Sequence, residues 1–247
     1  SGTTATLRDV LFMDERQGWA IGDRATIIHT TDGGANWGVQ TADTTSDLWA
    51  VRFRDAGHGW VVGAGGTFLY TADGGLTWQA GTLGTSEDLT ALHFADDLYG
   101  WATAWNGAIL RTSDGGLSWD VLNTGITRPL QDIFGTDAAH LWAVGHDGAL
   151  IATTDGGETW TPLDSGTMAH LHAVQFVSPS EGWIVGSGGV ILHSAAGGDA
   201  WECQKPWMGV GLRAVYSMGQ HLWVAGDRGV ILHSQDGGES WDYQISG

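Results

Sequence analysis

The 247-residue chain carries 10 basic side chains against 28 acidic ones, a formal charge of -18. That charge repels nucleic-acid phosphates and anionic membrane surfaces, and no apolar run is long enough to span a bilayer, so neither nucleic acid nor a membrane span is expected. Gly at 40 and Trp at 15 stand far above ordinary usage and mark a chain of tight turns and large apolar plates.

The predicted elements follow one plan, written six times. LRDVLF from Leu7 reads as a short strand, GWAIG from Gly18 as a second and TIIHT from Thr26 as a β-branched third. The turn in HTTDGGANW follows, and a last short strand starts at Trp37. The same order recurs from Leu48, Leu89, Leu130, Leu171 and Leu212. The turn positions Asp32, Asp73, Asp114, Asp155, Ala196 and Asp236 are 41, 41, 41, 41 and 40 residues apart, the period of a propeller or another repeat array. No unit has helical periodicity or length, and four-stranded units around a ring are propeller blades. An open solenoid wants atypical capping units, whereas the first and last units here are as regular as the middle ones, which favours closure. The expectation is one all-β domain over residues 1–247, a six-bladed β-propeller of four-stranded antiparallel blades.

The turn itself reads as construction. An Asp carboxylate accepts hydrogen bonds from the amides that follow it, and the glycines tolerate positive φ. The hydroxyls of Thr77, Ser118, Thr159 and Ser240 are placed to bond back, and the Trp that follows covers the hairpin. Asp32, Asp73, Asp114, Asp155 and Asp236 are therefore expected to be structural. Calcium needs several converging oxygens, and this turn offers one carboxylate. The fifth turn, with Ala196, is predicted to be the least rigid.

The pattern Ser/Thr-x-Asp-x-Gly-x-Ser/Thr-Trp resembles the Asp-box, or bacterial neuraminidase repeat. Unit one has Asn36 in place of the hydroxyl residue, and unit five lacks both Asp and hydroxyl. The fuller run, L-x-A-V-x-F, then G-W-A-V-G, then G-x-I-L-x-T-x-D-G-G-x-T-W, is most similar to photosystem II stability/assembly-factor repeats and extends from Leu7 to Trp241. That resemblance implies a propeller with an assembly-factor-like binding role. Members of that type are usually described as seven-bladed with an arginine-rich patch, whereas this chain shows six units and few arginines.

Enzyme chemistry finds little support. A sialidase needs an arginine triad and a Tyr–Glu pair; its Arg-Ile-Pro opening is absent, and Tyr216 has no glutamate in register. Asp9 and Asp132 stand where the other first strands carry Ala50, Ala91, Ala173 and Ala214. In a six-membered ring, units one and four are opposite, so the two carboxylates either face each other as in glycosidases or each bond nearby backbone. His29, His193 and His233 recur at one repeat position on separate blades and read as strand residues with polar contacts, so no metal and no cofactor are expected. Cys203 stands alone, excludes an internal disulfide, and reads as a small buried filler.

Binding residues are sought where the repeats differ. Arg8 and Arg213 share one repeat position, and Arg24 and Arg228 share another. In a closed ring these four gather at one seam, where they either capture an acidic partner segment or pair with the adjacent Asp23 and Asp227. Trp49, Trp105, Asn106, His146, Asp147 and His172 fall on the same predicted rim, and the two tryptophans replace small or polar equivalents. The expected function is a non-catalytic binding propeller, acting as a monomer, that recognises a protein segment or a glycan at that rim. The alternatives are a glycan-active hydrolase using Asp9 and Asp132, and a purely structural or designed ring. The compartment stays unknown, with a bacterial extracytoplasmic or secreted setting favoured.

Overall fold

The computed structural model describes residues 2–204 and 209–245; Lys205, the one lysine, lies outside the described residues. Blade 1 consists of β1 (Leu7–Phe12), β2 (Gly18–Gly22), β3 (Thr26–Thr30) and β4 (Gly38–Gln40), paired antiparallel in that order. Five further four-stranded sheets repeat the plan from Leu48, Leu89, Leu130, Leu171 and Leu212. The fold is the all-β six-bladed β-propeller that the repeat predicts. Ser1–Asn123, with blades 1 to 3, forms one compact unit, called unit one from here on, and Thr124–Gly247, with blades 4 to 6, forms another, called unit two; the single repeats are called blades.

Aromatic packing joins neighbouring blades. The second strand of blade 1 is buried along its whole length, and the Trp19 ring stacks on Phe53 of blade 2 with centroids 4.1 Å apart. Trp60 meets Phe94 of blade 3 in the same way at 4.2 Å, and in unit two Trp142 meets Phe176 at 3.9 Å. The tryptophan after the turn closes the stack from the other side: Trp78 stands edge-on to Phe53 at 5.8 Å, and Trp201 to Phe176 at 5.8 Å. Each such side chain removed from water contributes roughly 1.5–3 kcal/mol. The Trp therefore covers the end of its own blade's first strand, a longer-range job than closing the hairpin.

The turn is built as the sequence predicts. In blade 2 the Thr71 hydroxyl donates to Asp73 Oδ1 at 2.7 Å and accepts from the Gly75 N–H at 2.9 Å. Thr77 donates its N–H to Oδ1 at 2.9 Å and its hydroxyl to Oδ2 at 2.6 Å. The Thr77 hydroxyl leads the donors that hold Asp73 down to about 2. Asp32, Asp114, Asp155 and Asp236 are likewise lowered to about 2. In blade 5 the Ser194 hydroxyl still accepts the Gly198 N–H at 2.9 Å, but Ala196 supplies no carboxylate.

One expectation is corrected. Cys203 is exposed, because it sits on a two-residue outermost strand, Glu202–Cys203. His29, His193 and His233 are strand residues as expected, with polar contacts at His193 (Glu181 Oε1, 3.4 Å) and His233 (His221 Nδ1, 3.3 Å), and His29 and His193 also lie flat on Trp19 and Trp183, with centroids 4.5 and 4.1 Å apart. The first strands of the end blades keep the common pairing but are less covered: Val10 is 56 % exposed while its blade 2 equivalent Val51 is 0 %. In blade 6, Tyr216 is 60 % and Met218 62 % exposed.

Candidate functional site

Each first strand carries one residue more than its partner can pair. Leu7 pairs with Gly22 and Asp9 with Ile21, so Arg8 is left over as a bulge. The same shift falls on Trp49, Thr90, Gln131, His172 and Arg213. A bulge re-aims its side chain away from the pleat. The leucine before it is tied to the core in blades 2 to 6, as Leu48, Leu89 and Leu171 are at 0 % exposure, whereas Leu7 of blade 1 is 41 % exposed. The bulge residue is released from that packing and varies from blade to blade.

Beside each bulge runs the connection from second to third strand. Its central residue adopts a left-handed conformation at Arg24 (φ 57°), Asp147 (φ 53°) and Arg228 (φ 60°), and glycine fills the position at Gly65 and Gly188. Non-glycine residues are uncommon there and mark places where a side chain is kept despite strain. The backbone N–H of this residue is held by the segment entering the next blade. Arg24 donates to Asp47 Oδ1 at 2.8 Å, Gly65 to Asp88 Oδ1 at 2.7 Å, and Asp147 to His170 Nδ1 at 3.1 Å.

In unit one, Arg8 Nε lies 2.7 Å from Asp23 Oδ1. The Arg24 side chain is exposed, Trp49 is half-buried, and Trp105 is 43 % exposed. In unit two, Arg213 grips Asp227 with Nε at 2.9 Å and a second nitrogen at 3.1 Å. That hydrogen bond raises Arg213 and lowers Asp227. A third Arg213 nitrogen is 3.4 Å from His172 Nε2, which also lies 2.9 Å from Ser187 Oγ. His146 and His170 stand ring to ring, centroids 4.2 Å apart. Burial, followed by the Arg213 charge, lowers His172 to about 4.

The structure therefore brings His172 and Arg213 together, with Arg228 adjacent in the Asp227 connection. Both pairings with the adjacent aspartates, Asp23 and Asp227, are formed. His170 is a member that the sequence reading missed. Its signal was available, since it stands where unit one has Asp47 and Asp88 and so breaks the repeat's own habit.

Asp9 and Asp132 are occupied by the scaffold. Asp9 accepts the Val10 and Val51 N–H groups at 2.9 and 3.0 Å and a nitrogen of Arg52 at 2.7 Å. Asp132 accepts the Ile133 and Val174 N–H groups, both at 2.9 Å. Each carboxylate thus ties its own first strand to that of the next blade. Among the described residues no group of three or more His, Cys, Asp or Glu is placed to hold a metal, and no helix is long and apolar enough to cross a membrane.

The sequence profile of the family described as Photosynthesis system II assembly factor YCF48 matches residues 2–51, 39–129, 117–206 and 163–246. The chain belongs to the Ycf48 family. The Photosystem II assembly protein Ycf48 of Thermosynechococcus vestitus is 46% identical over 39 residues, 16% of this chain and 11% of that protein. A solved structure of YCF48 bound to D1 peptide superposes with a TM-score of 0.83 at 28% identity, over 99% of this chain and 83% of that one. YCF48 from Cyanidioschyzon merolae gives 0.79 at 20% identity over 99% and 86% of the two chains. The xyloglucanase of Xanthomonas campestris shares the fold alone, with a TM-score of 0.78 at 15% identity over 98% of this chain and 45% of the enzyme.

Membership of the Ycf48 family places the chain among non-catalytic assembly-factor propellers and sets aside the hydrolase alternative. It also corrects the leaning toward a secreted protein. The Ycf48 match is to photosystem II assembly factors, and a large negative charge reports on solubility and repulsion, not on a cellular address.

Proposed function

We propose that the chain is an assembly-factor-like propeller that grips a segment of a partner protein through its bulge residues and the connections beside them. The observation that carries this reading is the relative with 28% identity over 99% of this chain, whose structure was solved with a D1 peptide bound. The side chains proposed for contact are Arg8, Arg24, Trp49 and Trp105 in unit one, and His172, Arg213 and Arg228 in unit two. They combine forked cationic donors with large aromatic faces, the residue types that dominate segment recognition.

Fluorescence anisotropy with labelled peptides tiled along the D1 protein tests the reading. At least one peptide is expected to bind, and Arg8→Ala/Arg213→Ala and Trp105→Ala are each expected to weaken it about tenfold, in the range of moderate interface hot spots. If no peptide binds, or if both variants bind as tightly as the unaltered protein, the reading fails.

A further inference from the structure

Unit two sets three imidazoles, His146, His170 and His172, beside the guanidinium of Arg213. Two of them already use a ring nitrogen as an acceptor. His170 Nδ1 accepts the Asp147 N–H at 3.1 Å, a task that the Asp47 and Asp88 carboxylates perform in unit one. His172 Nε2 lies 3.4 Å from a nitrogen of Arg213, and a guanidinium can only donate. An imidazole nitrogen that accepts carries no proton, so a proton added at His170 Nδ1 or His172 Nε2 has to displace the contact made there. Burial lowers His172, with the Arg213 charge as the next cause, and burial also lowers His146, assisted by His170.

The fixed charges around the cluster nearly cancel. Arg213 is bound to Asp227, Arg228 lies beside that same carboxylate, and Arg128 donates to the Asp147 carbonyl at 2.9 Å. Three guanidinium charges less the two carboxylates of Asp147 and Asp227 leave one positive charge, and three imidazolium charges bring it to four. Ser187 is the remaining polar partner and is uncharged. With a formal charge of -18, most of the surface repels anions. A patch that turns positive therefore focuses an acidic ligand onto itself.

We infer that His146, His170, His172 and Arg213 form a proton-gated docking point for the carboxylates of an acidic peptide segment, an inference that rests on the segment-binding function just proposed. Protonation at His170 Nδ1 ends its acceptor role toward the Asp147 N–H. The new N–H faces the Asp147 carboxylate, whose Oδ1 is 3.7 Å away. Protonation at His172 Nε2 turns a donor toward Arg213, and an incoming carboxylate relieves that opposition by accepting from both. The proton comes from solvent and stays on the ring, and no covalent bond forms or breaks. An anion favours the charged imidazole, so the complex binds more protons than the free protein. Affinity therefore rises as pH falls below the ordinary histidine value of 6.5 toward about 4.

The test uses a labelled Glu/Gly peptide and its Gln/Gly twin, with the protein in its full length. The Glu peptide is expected to bind about tenfold tighter at about pH 5.5 than at about pH 8: one proton taken up on binding is worth a factor of ten per pH unit below the bound-state midpoint, and about pH 5.5 lies roughly one unit below the ordinary histidine value. The twin is expected not to respond to pH. The variant His146→Ser/His170→Asn/His172→Gln keeps residues that the repeats tolerate: Ser187 and Gln131 stand at two of those repeat positions, and Asn retains the acceptor for the Asp147 N–H. With an unfolding midpoint near that of the unaltered protein at about pH 8, it is expected to lose the pH response. A pH response that persists in the variant, or a Glu peptide that binds alike at both pH values, overturns the gating. Tiled D1 peptides that still bind in that case leave segment binding standing. No binding by any of these peptides at either pH removes both.

Discussion

Gly75, the second glycine of the blade 2 turn, lies directly against the Trp19 indole of blade 1: a methyl group at Gly75 would sit 2.5 Å from Trp19 Nε1. Gly116 has the same relation to Trp60 at 2.5 Å, and Gly198 and Gly238 approach Trp142 and Trp183 in unit two. The Asp-box turn is therefore a staple between neighbouring blades as well as within one. Its second glycine is demanded by contact, beyond its positive φ of 78°. Gly65 separates the two demands, with φ of 64° and nothing within 4 Å of an added methyl. Gly65→Ala is expected to cost about 1 kcal/mol through backbone strain alone. Gly75→Ala is expected to cost roughly 3 kcal/mol or more, strain and overpacking together. Urea unfolding of the two variants measures the difference, and equal midpoints would show that the turn does not bear on Trp19.

Blade 5 offers the reverse experiment. Ala196→Asp restores a carboxylate to a turn whose Ser194 hydroxyl and Gly198 N–H are already in place. The melting temperature is expected to rise by roughly 1–3 °C. The sister aspartates titrate at about 2 in the folded protein against an ordinary value of 3.8. A carboxylate with a lowered folded value stabilises fully above the unfolded value, and that contribution is lost as pH falls through the folded one. The gain should accordingly be complete at neutral pH and shrink as pH falls below 3.8, over a narrower range than for the sister aspartates because Ala200 supplies no hydroxyl like that of Thr77. An increment that ignores pH in that window would assign it to something other than the carboxylate.

The fold was legible because every blade repeats the same three signals: a Leu-led strand, a second strand carrying Trp near its start and a Gly-Gly turn that follows Asp in five of the six blades. The site was only half legible. Arg8, Trp49, His172 and Arg213 stood out because they differ between repeats, yet the reason they vary is a bulge. A bulge is a property of strand register that no single strand displays in its own sequence. His170 went unnoticed because no strand or turn motif reaches the connection before a first strand, and only the structure shows that this segment caps the N–H of a left-handed residue in the preceding blade. The exposure of Val10 was illegible too: its sequence matches Val51, and only the packing around each strand separates them.

That difference is measurable. Val51→Ala removes two methyl groups from a fully buried site and is expected to cost about 2 kcal/mol or somewhat more, the transfer loss plus a cavity. Val10→Ala makes the same chemical change at a side chain 56 % exposed, and is expected to stay within about 0.5 kcal/mol, as surface substitutions do. The two residues hold one repeat position, so strand propensity cancels in the comparison. Similar losses would mean that Val10 is covered in solution.

Arg213→Gln separates the two influences on His172. Burial is the larger cause of its value of about 4 and remains in the variant, while the Arg213 charge is removed. The His172 titration midpoint, followed by NMR of the imidazole protons, is expected to move upward but to stay below 6.5. The stability consequence has a definite sign. A histidine whose folded value is depressed leaves the unfolded chain holding more protons, so stability is full above 6.5 and declines as pH falls toward about 4. Arg213→Gln narrows that window and should flatten the decline in melting temperature between those limits. An acidic peptide bound at His172 should flatten it as well, because the ligand raises the same midpoint from the outside. A midpoint that does not move in Arg213→Gln would show that the guanidinium is too well screened by Asp227 to act on the ring.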